Sequence, residues 1–579
     1  MSLFVFFILA AVVLGAGAML SPAWRTAQPR VALAATLCLG LVVGGAVFYA
    51  EAFGWDALVV DYLLFALLSG VVLGGTLSTA QARAEARGER LEDRDQGWPG
   101  PGDLTFFALV ALLLLTPLFH LHAPLGEQGQ ISGFHSLAVR DGGSFNSLAP
   151  YHTEGLVIVS PGFHALAAYL SGQLDQSIPL IQLSVAAVVT LLIVWLAYDF
   201  GAELLDKRLG RAMAASTLIC LGLHRSYLDG HFAELLALLF MVASMLYALR
   251  LLRKFNLADL AAAGLMMGAV AYTSLSLSIV TLLGWIPLLA LIWTRKRQET
   301  TAASRWALTM GVPAVALLGI APWLVNSLPL MWPISPSPFQ ADPGNLARII
   351  PEHGIVISIL ALWGIIVGLR ASAILRFVSL LLLIWLLLVL EFASFGFIGT
   401  LLPLLGELTN APNLARHGLI LPFGWFGGLA LLDIWDRRLS PGLRGRLRQS
   451  TYPLIAIAAA LLLLGAVAFQ PLLDLLGFPP ASLTQDELAA MTWLRDNSPA
   501  DAVVMAVDGK AWLPIFAERR STDFRAVRYF EWDYLERADA GGEEADYVYA
   551  PAGMGAPADM PLKQVFKQGE TRVFAMVTD

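Results

Sequence analysis

The feature that most constrains this chain is the alternation of its basic residues between long apolar runs. Runs of roughly 17–23 apolar residues, each close to the length needed to cross a bilayer, recur near 2–20, 30–50, 57–77, 104–120, 180–199, 232–249, 257–273, 276–294, 306–325, 354–369, 377–398, 418–435 and 453–472, with a shorter one at 211–223. A helix needs about 20 residues to cross the hydrocarbon, so the sequence predicts a polytopic α-helical membrane protein with about 14 transmembrane helices. The composition agrees, with 57% hydrophobic and only 14% charged residues; soluble domains run nearer a quarter charged. The apolar stretch 156–171 is interrupted by Pro161 and Gly162. It reads as an interfacial or re-entrant helix.

Of the 37 lysines and arginines, 23 follow alternate spans and ten lie in the C-terminal segment. Only Arg140, Arg225, Arg348 and Arg416 occupy the opposite loops. The positive-inside rule makes the 23 cytoplasmic, so the sequence predicts a multi-pass plasma-membrane (inner-membrane) protein with both termini extracytoplasmic. All nine histidines then fall on, or at the edge of, outer loops. The first apolar run has no basic residue before it and several after it, which favours an anchor with its N-terminus outside over a cleaved signal peptide. Cys38 and Cys220 lie within spans, so the sequence supports neither a disulfide framework nor a cysteine metal site.

Three regions follow. Residues 1–103 form three N-terminal transmembrane helices plus a charged cytoplasmic loop. Residues 104–472 form the main bundle, with outer loops at 121–179, 224–231, 326–353 and 399–417. Residues 473–579 form a soluble extracytoplasmic α/β tail. The tail opens on Thr484-Gln-Asp-Glu487, a capping box in which each side chain satisfies the other's free backbone donor. Strand-like runs follow at Val503–Val507, Tyr547–Tyr549 and Arg572–Val577. The tail holds 18 acids against 10 bases. An acidic outer domain argues against nucleic acid as a partner.

The chemistry-bearing residues crowd into the outer loops. Glu127, just after the fourth span, is the first carboxylate to emerge from the membrane. It is able to accept a proton from a hydroxyl or to hold a divalent cation, and reads equally as a solvated loop acid. Arg140 and Asp141 precede Gly-Gly, where Asp141 reads more readily as a turn former. His152 and Glu154 put an imidazole beside an acid, and His164 follows Pro161-Gly162 at the interface. The run His224 to Glu234 brings Arg225, Asp229, His231 and Glu234 together. A helix starting near Gly230 sets His231 and Glu234 on one face, where an ion pair is the plainer reading. Arg416-His417 closes the last outer loop. A lone outer arginine suits a phosphate, and snorkelling is its structural alternative.

On these residues the chain resembles the GT-C superfamily of integral-membrane glycosyltransferases, which use polyprenyl-phosphate-linked sugars. The resemblance rests on a span followed by an outer loop with an early acid and a Gly-Gly-Ser turn (Glu127, Asp141 to Ser144). It rests also on the Pro161 to His164 element before a juxtamembrane helix, and on a many-span bundle with an outer α/β tail carrying the Ala489 to Arg495 helix. It covers roughly residues 104–579.

The resemblance implies transfer of a sugar from a polyprenyl-phosphate donor to a lipid, glycan or protein acceptor. Glu127 would be general base or metal ligand, assisted by Asp229, His231 or Glu234, with Arg416 on the lipid phosphate. Arg140, Asp141, His152, Glu154, His164, Asp229 and His417 would complete the substrate site. A divalent cation, Mg or Mn, would be held by Glu127 and Asp229. The family's early loop usually carries aspartate, often as a pair of acids, where this chain has one glutamate between polar neighbours. The competing class is a transporter or a non-catalytic component of envelope assembly. A transporter would place ionisable groups at the midplane and show internal repeats, whereas here most of the polar chemistry sits at the outer surface and no repeat is visible.

Overall fold

The computed structural model describes residues 2–20, 30–55, 60–61, 100–151, 160–294, 301–327, 329, 341–438, 452–475, 483–507, 512–522, 545–555 and 560–577. The principal helices are α1 (Ser2–Leu20), α2 (Val31–Phe53), α3 (Pro101–His120), α4 (Glu127–Gly142), α5 (Gly162–Leu174), α6 (Ile178–Leu204), α7 (Lys207–Ile219), α8 (Leu221–Asp229), α9 (Phe232–Arg253) and α10 (Leu257–Thr273). They continue with α11 (Leu275–Thr294), α12 (Ala302–Ser327, with a π turn at Ala307–Gly311), α13 (Gly344–His353), α14 (Ile355–Leu369), α15 (Ala373–Phe395), α16 (Ala411–His417), α17 (Ile420–Arg438) and α18 (Tyr452–Val467).

Among the described residues, eight helices are long and apolar enough to cross a membrane, or nine if α13 and α14, bent by 103° at Gly354, count as one. Three shorter apolar helices accompany them: Val5–Ala18, Leu257–Thr273 and Leu454–Val467. The expected count of about fourteen is not confirmed among the described residues. The expected span 57–77 lies almost wholly outside the described residues. The segment at 211–223 is broken at Cys220 into α7 and α8, and so is two short helices rather than one span. Of the interrupted stretch 156–171, the described part from Gly162 belongs to the 13-residue helix α5.

Apolar patterning places the helices. α6 and α9 are apolar all round and 94% of each spanning window is buried, which makes them the centre of the bundle. Only 22% of α12 is buried, so it lies at the periphery. α2 is packed into the same core through Val31, Leu33, Val43 and their neighbours, so the leading helices are not a separate layer. Small residues allow close crossings, as where Gly427 and Gly428 of α17 meet Ser216 and Met213 of α7. At one end of the bundle the basic residues meet acids. Arg211 Nε lies 2.8 Å from Asp103 Oδ1, and Glu203 is shared by Arg30, Arg250 and Arg253.

The C-terminal segment adds α19 (Gln485–Asn497), α20 (Leu513–Ala517) and strands β1 (Val503–Ala506), β2 (Arg520–Ser521), β3 (Tyr547–Ala550), β4 (Leu562–Gln568) and β5 (Thr571–Met576). The sheet order is β2-β1-β3-β5-β4, with β1 parallel to β2 and β3 and the last three strands antiparallel. α19 starts on the expected capping box, with Thr484 N donating to Glu487 Oε2 at 2.7 Å. Its apolar face joins Phe134, Leu137 and Ala138 of α4 and Ile515 and Phe516 of α20 in one core. The tail is thus packed directly on the helix that begins at Glu127.

Candidate active site

Three short segments at the end of the bundle opposite the basic one meet around a single guanidinium. α8 ends at Gly230, whose φ of +95° suits glycine, and the chain turns at once into α9 with His231 as N-cap. α16, capped by Asn410, carries Arg416 and His417 in its last turn. α13 brings Glu352 from a third loop. Arg416 Nη1 is hydrogen-bonded to Asp229 Oδ2 and lies 2.7 Å from His231 Nε2, while Nη2 donates to Glu352 Oε1 at 3.3 Å. His231 Nε2 is 3.0 Å from Asp229 Oδ2, and its Nδ1 faces Glu234 Oε2 at 4.0 Å. Burial pushes the Asp229 carboxyl up, but the hydrogen bond and charge of His231 and the Arg416 guanidinium outweigh it and hold it below the usual range.

Glu127 is brought to this cluster through its backbone. Leu125 N donates to Leu228 O at 2.9 Å. The two chains touch so closely that a Cβ on Gly126 would lie 1.6 Å from Asp229 Oδ1, and one on Gly230 would lie 2.2 Å from Gly129 N. Gln182 of α6 fixes this crossing from below, donating to Gly129 O at 3.1 Å. Glu127 therefore opens α4 one residue from the Asp229 carboxylate, with its own side chain exposed. Residues 125–130, the 224–234 segment and Arg416, far apart in sequence, meet here.

A further group that could hold a divalent cation lies here. Ring nitrogens of His231 and His417 and a carboxylate oxygen of Glu234 all lie within 4.8 Å of one another. Two imidazoles and one carboxylate suit zinc-like ions better than magnesium or manganese, which prefer oxygen ligands. The expected pair of Glu127 and Asp229 fits less well, because Asp229 Oδ2 is already engaged by Arg416 and His231.

Among the described residues, His164, Arg140 and Asp141 lie elsewhere. His164 is fully enclosed, its Nδ1 3.2 Å from Ser136 Oγ and its ring 4.3 Å from that of His135. His135 Nε2 pairs with Phe145 O at 3.0 Å. Burial holds both imidazoles neutral, His135 pushed down to about 4 and His164 well below its ordinary value. Arg140 and Asp141 sit at the far end of α4, 13 residues and so roughly 20 Å from Glu127 along the helix. Arg140 Nη2 lies 2.9 Å from Glu518 of the tail and its Nε 2.7 Å from Asp141, to which Tyr151 also donates at 2.5 Å. The expected Asp141 turn is the end of α4, closed by Gly143 at φ +71°. His152 and Glu154 lie outside the described residues.

Sequence reasoning passed over Glu352. Its signal was available, since Glu352-His353 repeats the acid–imidazole adjacency of the other outer loops. The back of α8 also matters: with α3 and α18 it encloses an apolar cavity of about 230 Å³, lined by Leu114, Pro117, Tyr227, Leu228, Leu461 and Phe469. Tyr227 and Leu228 thus face an apolar space immediately before Asp229 enters the ionic cluster.

No family model and no curated protein matches this chain. Among solved structures it is similar to ArnT from Cupriavidus metallidurans bound to undecaprenyl phosphate, with a TM-score of 0.58 at 12% identity over 82% of this chain and 98% of that one. The apo state of the same protein gives 0.55 at 14% identity over the same shares. The Archaeoglobus fulgidus oligosaccharyltransferase AglB, in complex with an inhibitory peptide and a dolichol-phosphate, is more distant, at a TM-score of 0.46 and 14% identity over 77% of this chain and 69% of that one. The spans and the C-terminal sheet together make this a multi-pass membrane protein that shares the fold of the ArnT structures.

Proposed function

We propose that this protein is a membrane glycosyltransferase that moves a sugar from a polyprenyl-phosphate-linked donor to a lipid, glycan or protein acceptor. The observation that carries the reading is the two-sided helix α8. One side enters a cluster of acids, imidazoles and arginines, and the other faces an apolar cavity, as an amphiphilic substrate with a charged head requires. The GT-C fold supports it, as does the neighbour ArnT, whose structure holds undecaprenyl phosphate. On this reading the site works on the extracytoplasmic face.

Glu127 acts as general base. It takes the proton of the acceptor hydroxyl as that oxygen bonds to the anomeric carbon. The anomeric carbon–oxygen bond to the phosphate breaks in the same displacement, its electron pair leaving on the polyprenyl phosphate, with inversion. Asp229, held ionised by Arg416 and His231, offsets positive charge developing on the sugar ring, and fixed charges in a partly dry site are effective at this. His231, Glu234 and His417 would hold a divalent cation, which when bound supplies Lewis-acid polarisation of a phosphate or hydroxyl oxygen. Glu127→Gln tests the assignment. Transfer from a polyprenyl-phosphate sugar to an acceptor lipid in nanodiscs should fall by about 10²–10⁴, the usual contribution of a general base. Undiminished transfer would remove Glu127 from the mechanism.

A further inference from the structure

Of the four arginines at this end, two are fully engaged. Arg140 is held by Asp141 and Glu518, and Arg416 binds Asp229 with one terminal nitrogen and Glu352 with the other. Arg348 lies exposed on α13. Arg225 differs from all three. It is half-buried on α8, one helical turn before Asp229, and its Nε is fully enclosed with no hydrogen-bond partner among the described residues. It forms no ion pair with any of them, although Glu352, Asp229 and Arg416 are its electrostatic neighbours. Its terminal nitrogens, unlike Nε, are not enclosed and have no hydrogen-bond partner among the described residues, so they can take an acceptor from outside the chain.

An arginine offering adjacent N–H donors in one plane matches two oxygens of a phosphate. The neighbouring acids exclude a second carboxylate as the natural guest, and Arg416 adds a further positive charge. Leu221 and Leu228, which flank Arg225 on the helix surface four residues before it and three after, line the apolar cavity. A phosphate bound at Arg225 would therefore have room for an attached hydrocarbon chain within one helical turn.

Resting on the glycosyltransferase reading, we propose that Arg225, and not Arg416, receives the phosphate of the polyprenyl-phosphate substrate, Arg416 being a positioning residue that orients Asp229 and Glu352. Arg225 thus becomes the residue that recognises the leaving group, and its own pairing is completed by the ligand.

The test is direct binding of undecaprenyl phosphate, without sugar, to the full chain in nanodiscs. Wild type is compared with Arg225→Gln, Arg225→Lys and Arg416→Gln. Arg225→Gln should weaken binding by about tenfold or more, and Arg225→Lys should restore part of it, because the charge remains and the fork is lost. The ligand-free thermal midpoint of Arg225→Gln should stay near wild type, since no hydrogen bond or ion pair to a described residue is removed. Arg416→Gln, where it remains folded, should bind within about threefold of wild type, as expected if its guanidinium makes no direct phosphate contact. Wild-type affinity for Arg225→Gln, or a larger loss in Arg416→Gln, would overturn the assignment while leaving the glycosyltransferase reading intact. Inorganic phosphate competing as well as the lipid would overturn the link to the cavity. Failure of the wild type to bind undecaprenyl phosphate would overturn the functional reading, and the assignment with it.

Discussion

Two pairs of histidines lie side by side at one end of this bundle, separated by the packing of Phe163 on Phe232 with ring centroids 5.4 Å apart. His135 and His164 are enclosed, neutral, and bonded to a backbone carbonyl and a serine. His231 and His417 have rings 4.5 Å apart, a similar spacing, yet theirs is a region shared with Asp229, Glu234, Glu352 and two arginines. In sequence the four looked alike, as imidazoles on outer loops. The difference is the company of carboxylates. Burial, with the charges of His231 and Arg416 beside it, pushes the His417 imidazole well below its ordinary value as it does His135 and His164, so the pairs differ at His231, which lies against the Asp229 carboxylate.

The comparison is broken or sharpened most strongly at Asp229. Asp229→Asn should reduce sugar transfer by about 10³ or more, on the scale of losing a preorganised charge, while the detergent-solubilised protein keeps its gel-filtration profile. An active Asp229→Asn enzyme would make the acid-rich cluster as structural as its neighbour. Gly126→Ala comes next. Its Cβ would lie 1.6 Å from Asp229 Oδ1 and 2.4 Å from Asp229 O, so α4 and α8 must separate. Activity and thermal stability should fall together, the latter by about 1–3 kcal/mol as for other overpacked sites. Stability falling with activity intact would mean that Glu127 need not sit beside Asp229.

The other pair should show the reverse pattern. His135→Ala should leave the Michaelis constant and turnover near wild type and lower stability by about 2 kcal/mol, through the lost bond to Phe145 and the space left behind. A selective loss of turnover would give this pair a chemical role. His135 also sets an acid limit. It is neutral when folded, pushed down to about 4 by burial, against an ordinary imidazole value of about 6.5 when unfolded. Its contribution is complete above about pH 6.5 and is lost as the pH falls toward 4, to a total of about 3 kcal/mol. Thermal midpoints of wild type from pH 7 to 4 should fall more steeply than those of His135→Leu; parallel curves would exclude this imidazole as the cause. The smallest effect belongs to Arg140→Ala, which releases one ion pair to the tail and should cost about 1 kcal/mol without changing transfer.

Much of this was legible in sequence. The spans were, because apolar length is a local property, and so were the capping box at Thr484 and strands β1, β3 and β5. Of the site, Glu127, Asp229, His231, Glu234, Arg416 and His417 stood out as polar residues at the edge of apolar runs. The number of spans was less legible. α13 and α14 bend by 103°, and α7 and α8 break at Cys220, and neither break shows in hydropathy. Strands β2 and β4 were missed because two residues, or a polar exposed edge, carry no alternation of their own. Glu352 was missed because its partner, Arg416, is 64 residues away.

By itself, then, the sequence determined that this chain is a membrane bundle, which end holds the positive charge, and which loops hold acids and imidazoles. Each follows from the cost of placing charge or unpaired backbone in hydrocarbon, a cost paid residue by residue. Only the tertiary structure decided which of those groups work together. That choice depends on glycine contacts at Gly126 and Gly230, on a guanidinium claimed by two distant acids, and on burial that silences His135 and His164. Charge state and proximity are set by neighbours in space, and no stretch of sequence contains them.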